Sequence, residues 1–276
     1  MIDIENRITS RANPTVMHAA SLSEKKYRDA SEEFLLEGEK LVAEAILAGA
    51  DIKQVLVCES SYAKMQPILE KMRKNEKYSR IPLYLLSESC YNKISEEKSQ
   101  TDIAVIIKYL DFSKRCITIL DNGIISSEER LLMLCSLRDP GNVGTVIRSA
   151  AAFGYDGVVL AGGCADVYNR KTLRAAMGSI FRIKTYVVPD AEEAVDFLRE
   201  SGRRVFSAEL RPSSVSIDEI DFKPTDVAII GNEGNGIPVG VSSRCDGSFY
   251  IPITSNVESL NAAVAASVVA YIQGRK

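Results

Sequence analysis

Residues 251–271 read IPITSNVESLNAAVAASVVAY. A short β-branched run at 250–253 meets a polar loop, and Ser259-Leu260-Asn261 then opens a helix built almost wholly of Ala and Val. A helix without a polar face has to be covered on all sides by protein. Its amino end carries Ser, Asn and free backbone N–H groups, which suits it to holding a small ligand.

Working outward from this stretch, the 120 or so residues before it alternate strand and helix. Residues 131–137 read as a buried strand, followed by Arg138-Asp139-Pro140-Gly141-Asn142 and a helix through Phe153. Strands at 157–161, 183–188, 204–209 and 227–231 and helices at 169–177 and 191–200 continue the rhythm. Earlier still, residues 1–110 form a smaller alternating unit. Asn13-Pro14 starts a helix, with Pro14 at its first position. Strands follow at 34–36, 52–58, 83–86 and 103–109, and helices at 38–49, 62–74 and from Ser87. This alternation predicts two α/β layers with substantially parallel sheets. Turn chemistry at Asp121-Asn122-Gly123 and 126–129 puts a linker at 111–129, and 130–276 is the second domain. The run 116–120 within that linker reads as a connecting or edge strand.

Composition narrows the chemistry. In 276 residues there is one histidine, His18, so Ser-His-Asp triads and histidine metal clusters are not available to the second domain. The six cysteines are scattered without a CxxC pair, which is neither a zinc spacing nor a disulfide framework. No metal is expected. A formal charge of −3 means that any nucleic-acid surface must be local. No apolar run reaches the roughly 20 residues that span a membrane, and MIDIENRITSR lacks a secretory h-region, so the expected location is cytoplasmic with no membrane partner.

Three Gly/Asn-rich loops follow three strands: PGNVG at 140–144, GNEGNG at 231–236 and SLN at 259–261. Ligands of open α/β sheets collect beyond the carboxyl ends of strands. Any one loop alone reads equally as an ordinary strand-to-helix turn. Asn142, Ser259 and Asn261 are all residue types that cap helices, and Glu233 alone reads as an exposed turn acid. Neither GxGxxG opening the first βα unit nor GxxxxGK[ST] occurs, which argues against dinucleotide or nucleoside-triphosphate chemistry.

Taken together, the loops resemble the three ordered motifs of the SpoU-type (SPOUT superfamily, TrmH-like) RNA ribose 2′-O-methyltransferases. The first is LRDPGNVGTVIRSAAAFG, with Asn142, Gly144 and Arg148; the second is IIGNEGNGI; the third is IPITSNVESLNAAVAAS. DVYNRKTLRAAMGSIFRI is similar to the family's linking helix, with Arg170 where a proline is usual. EFLLEGEKLVAEAI and SQTDIAVI are similar to its ribosomal-protein-like RNA substrate-binding domain, although Gln100-Thr101 stands where the family has Gln-Gly.

The resemblance implies an α/β-knot domain, its carboxyl end threaded through a loop as a deep trefoil knot, which uses S-adenosyl-L-methionine (AdoMet) and acts as a homodimer. Gly231, Asn232, Gly236, Ile251 and Leu260 then contact the cofactor, largely through backbone. Arg148, Asn142, Glu233, Ser259 and Asn261 become the catalytic set. Arg148 would hydrogen-bond the ribose hydroxyl and stabilise the developing oxyanion, with histidine excluded as the base; on its own it reads as a surface or phosphate-contacting arginine. RNA, in particular 23S rRNA, is the expected partner, and DNA is not. Two basic clusters fit phosphate contacts: Arg170, Lys171, Arg174, Arg182 and Lys184, and Arg7, Arg11, Lys25, Lys26 and Arg28. The competing readings are a catalytically silent RNA-binding or assembly factor, a drug-resistance rRNA methyltransferase of the same fold and, more distantly, a nucleotide-cofactor oxidoreductase.

Overall fold

The computed structural model describes residues 4–96, 102–111, 125–232 and 234–274. The chain folds as two compact units, one made of Met1–Leu110 with Tyr168–Arg170 and the other of Asp111–Val167 with Lys171–Lys276. The turn at 121–123, the run at 116–120 and the Gln100-Thr101 pair lie outside the described residues, as does Glu233.

In the first unit the order is β1 (Ile4–Ile8), α1 (Pro14–Ser21), α2 (Lys25–Ser31), β2 (Glu33–Glu37), α3 (Glu39–Leu47), β3 (Ile52–Cys58), α4 (Tyr62–Lys74), β4 (Leu83–Leu86), α5 (Glu88–Ile94) and β5 (Ile103–Lys108). Asn13 caps α1 by accepting from the Thr15 amide at 2.9 Å, with Pro14 at the first helical position. The sheet order is β1-β4-β3-β5-β2. β1, β4, β3 and β2 point one way and β5 alone runs against them, pairing antiparallel with both of its neighbours, so the expected largely parallel sheet carries one reversed strand. The all-apolar run IAVII correctly reads as a buried strand, but an unbroken apolar run carries no information about strand direction. β1 and α2 escape the sequence reading because they are short and charged.

The second unit runs β6 (Leu131–Cys135), α6 (Pro140–Ala152), β7 (Gly157–Ala161), α7 (Arg170–Ala176), β8 (Lys184–Val188), α8 (Ala191–Glu200), β9 (Val205–Ala208), β10 (Val215–Ser216), β11 (Val227–Ile230), α9 (Val239–Ser242), β12 (Gly247–Tyr250) and α10 (Ala262–Gly274). Its seven strands lie in the order β10-β12-β9-β11-β6-β7-β8, and every pairing is parallel. Such a sheet needs cover on both faces. Met133, Val159, Tyr186 and Ile229 pack with Ala194, Leu198 and Val241 of α8 and α9 in one cluster, and α10 packs on α6 and β11. Because all the strands point the same way, the carboxyl ends of β12, β9, β11 and β6 stand side by side at one edge. That edge holds the three motif loops.

Two local expectations change. The strand expected at 250–253 is β12, which ends at Tyr250. Pro252, which has no N–H to give a ladder, follows two residues later. α10 is not covered on all sides by its own chain: Ala266, Val269 and Ala270 are buried, but Val264 and Tyr271 are 50% and 47% exposed. No helix of the described residues is long and apolar enough to cross a membrane.

Candidate active site

β11 delivers the chain into a loop closed on itself. The Asn232 amide donates to the Gly236 carbonyl at 3.2 Å and the Gly236 amide to the Asn232 carbonyl at 2.9 Å. The Asn232 side chain fixes the loop from inside. Its Oδ1 accepts from the amides of Gly234 (2.9 Å) and Asn235 (3.3 Å), and its Nδ2 donates to the Ser136 carbonyl at the end of β6 (3.2 Å). Only glycine fits at 231, since a Cβ there would stand 2.6 Å from the Gly236 carbonyl carbon.

The first motif folds around Asp139 rather than Asn142. α6 begins at Pro140, and Asp139 caps it by accepting from the Asn142 amide at 2.8 Å. Asn142 is therefore inside the first turn, and its reading as a cap is corrected. The Lys171 ammonium, 2.9 Å from Asp139 Oδ2, holds that carboxyl below its ordinary value, with help from the Asn142 amide. Gly144 lets α7 close on α6, because a Cβ there would lie 2.3 Å from the Thr172 carbonyl oxygen.

Asn261 does cap its helix. Its Oδ1 accepts from Ala263 N at 2.9 Å and Val264 N at 3.2 Å. Its Nδ2 donates to Asn142 Oδ1 at 3.2 Å, which joins the third motif to the first. Cap and site position coincide in this residue.

The second and third of these loops, with the end of β9, border a cavity of about 510 Å³ at the strand ends. Gly231, Asn232, Gly236, Ile251, Ser259 and Leu260 all line it, within the usual size range of a cofactor pocket. Asn142 and Asn261 instead line a neighbouring cleft of about 620 Å³, with Val264, Val268, Tyr271 and Ile272. Arg148 is exposed on α6, and its side chain makes no hydrogen bond or ion pair to another described residue.

The match to known proteins now has a physical basis. Residues 129–271 match the SpoU rRNA Methylase family profile, and residues 13–104 match the MRM3-like substrate binding domain. The chain belongs to the SpoU rRNA methylase family. A relative from Bacillus subtilis, described as a 23S rRNA (guanosine(2553)-2′-O)-methyltransferase, is 32% identical over 265 residues, covering 96% of this chain and 98% of its own. An AdoMet-bound rRNA methyltransferase structure from Sinorhizobium meliloti superposes with a TM-score of 0.81 at 29% identity, covering 98% of this chain and 97% of its own. A structure described as an RNA 2′-O ribose methyltransferase gives 0.79 at 26% identity, covering 98% of each chain.

The basic residues of this SpoU family chain are sorted by burial. Arg170 is not a surface cation. It is 6% exposed and donates to Glu37 Oε1 at 2.9 Å and to the Ile94 carbonyl at 2.6 Å, within the first unit. Arg28 is likewise buried, donating to the carbonyls of Leu22 and Ser23. Both are removed from the expected phosphate contacts. Lys171 is exposed but engaged by Asp139, Arg174 is half-buried and partnered, and Arg11 is exposed. Among the described residues no cluster of three or more His, Cys, Asp or Glu side chains could hold a metal. Burial pushes the Cys164 thiol up to about 12, which makes it a poor nucleophile.

The sequence reading passed over Glu209. It follows β9 and lines the cavity, its Oε1 accepting from Ser207 Oγ at 2.6 Å and its Oε2 paired with Arg211 Nε at 2.8 Å. An acid just beyond the strand VFSA was the available signal.

Proposed function

We propose that this protein transfers the methyl group of AdoMet to a ribose 2′-hydroxyl of ribosomal RNA, with 23S rRNA as the substrate molecule. The observation that carries the proposal is the shared cavity of Gly231, Ile251 and Leu260 with Ser259, hydrogen-bonded edge to edge with the first motif through Asn142 and Asn261. The fit to the cofactor is physical. The cavity has the volume for it, and the missing Cβ at Gly231 lets the Gly236 backbone close against it, so that both glycines line the cavity. Gly231, Ile251 and Leu260 would hold AdoMet, which supplies an electrophilic methyl on a sulfonium.

The chain's own part is to position and to stabilise charge. Methyl transfer to a hydroxyl is an in-line displacement, so holding the two partners at contact distance removes much of the barrier. Arg148 carries a guanidinium free of described partners. It donates hydrogen bonds to the hydroxyl as negative charge develops there, and the proton leaves to an RNA phosphate or water. Asn142 and Asn261 keep the first turn of α6 and the start of α10 in register, and Glu233 and Ser259 complete the set inferred from the family pattern. The first unit grips the RNA, consistent with the substrate-binding profile it matches, and a ribosomal RNA substrate fits a cytoplasmic location.

A homodimer belongs to the same proposal. The cleft with Val264, Val268, Tyr271 and Ile272 is an apolar face of α10 left open by its own chain, and a second copy would cover it. The threaded carboxyl end implied by the family resemblance is supported by the insertion of β12 between β9 and β10 before the chain turns into α10. Calorimetric titration with AdoMet is the first test: one site per chain is expected, and no heat of binding up to millimolar ligand would defeat the proposal.

A further inference from the structure

We propose that Glu209 selects a ribonucleoside cofactor by accepting hydrogen bonds from its vicinal ribose hydroxyls. The inference rests on the AdoMet reading above and assigns a recognition residue within that cavity.

Glu209 sits at the carboxyl end of β9, a strand flanked by β11 and β12. The strand is fixed on both sides, and so is the acid. Ser207, itself fully buried, donates to Oε1, and Arg211 holds Oε2. Arg211 is anchored in turn to Ser242 Oγ. The Glu209 side chain is 13% exposed and lines the cavity. Glu258, the other carboxylate among the described residues of the cavity, is exposed on the 251–261 loop and held by no described partner.

Lone pairs and charge then narrow what Glu209 can recognise. A carboxylate offers about four acceptor positions, two on each oxygen. Ser207 and Arg211 take one on each, so one remains on Oε1 and one on Oε2. Two donors a short distance apart match that pair, and a vicinal diol presents them. The cofactor's ammonium is a poorer match, because the Arg211 guanidinium already neutralises the carboxylate and would repel a second cation. The adenine amino group offers both of its donors from one nitrogen. Carboxylate-to-ribose hydrogen bonding is also a recurring solution at strand ends of α/β sheets.

The test uses S-adenosylhomocysteine and its 2′-deoxy and 3′-deoxy ribose analogues as probes, titrated calorimetrically into the full-length protein and into Glu209→Ala and Glu209→Gln variants. A hydrogen bond to a charged group accounts for about 10- to 100-fold in affinity. The wild type is expected to lose about that much when either hydroxyl is removed. Glu209→Ala is expected to bind the parent ligand about 10- to 100-fold more weakly and to discriminate the analogues less than about threefold. Glu209→Gln, nearly isosteric, keeps one acceptor oxygen and is expected to retain sensitivity to one hydroxyl only; it carries the test if the alanine variant fails to fold. Undiminished discrimination in both variants, or none in the wild type, overturns the inference alone. A wild type that binds no S-adenosylhomocysteine overturns it together with the AdoMet reading.

Discussion

Arg148 concentrates the chemistry in one side chain. Arg148→Ala and Arg148→Lys are expected to lower single-turnover methylation by about 10²- to 10³-fold, the usual loss of an oxyanion-stabilising donor, while AdoMet affinity is unchanged. Near-normal rates in either variant would take Arg148 out of the mechanism. Asp139 is the structural counterpart. Its carboxylate caps α6, so Asp139→Ala is expected to cost about 1 kcal/mol at neutral pH in urea denaturation. Its folded value lies below the ordinary one, so the ionised cap stabilises the fold above the unfolded value and that contribution fades as pH falls through the folded value. Wild type and variant are therefore expected to converge in acid. At this scale the sequence exposed Gly231, whose backbone approach to Gly236 a Cβ forbids, and the Asn261 cap. It misassigned the cap of α6, because Asp, Pro, Gly and Asn in succession offer two capping residues and only the fold shows which accepts. It also placed Arg170 on the surface, because an arginine in a basic run shows no sign of a buried partner 133 residues away.

Among the elements, α10 has two jobs: its amino end borders the site and its outer face is apolar. The pattern AAVAASVVAY announced a helix needing cover everywhere, and the chain itself covers only the Ala266–Val269–Ala270 side. A sequence period reports which residues avoid water but not whose atoms cover them. Val264→Glu, at a half-exposed position that meets the Asn261 cap through its backbone amide and not its side chain, is expected to shift the protein from dimer to monomer in sedimentation equilibrium while leaving the far-UV spectrum intact. A wild type that is already monomeric, or a variant that stays dimeric, contradicts the proposed face. The strands of the second unit were legible because LLMLC, GVVLA and VAII are unbroken apolar runs between turn residues. β10 and α9 were not, being two and four residues long.

For the whole molecule, the order of the three loops along the chain matters less than the parallel sheet that brings their strands side by side. Strand order cannot be read from periodicity, and here the family resemblance supplied what spacing alone left open. Net charge was equally silent about RNA, and the structure trims the basic clusters to cations that water can reach, Arg11, Lys171 and Arg182 among them. Affinity for a ribosomal RNA fragment is expected to fall by about 10- to 100-fold between about 50 and 200 mM salt, as a few phosphate contacts dictate; a flat dependence would remove those contacts. The most direct test is ribose-methylation mapping across the ribosomal RNA of a deletion strain, before and after incubation with purified protein and AdoMet. The expected result is a single 2′-O-methyl missing from 23S rRNA and restored by the wild-type protein but not by Arg148→Ala. An unchanged methylation map, from a protein that nonetheless binds AdoMet, would contradict the account.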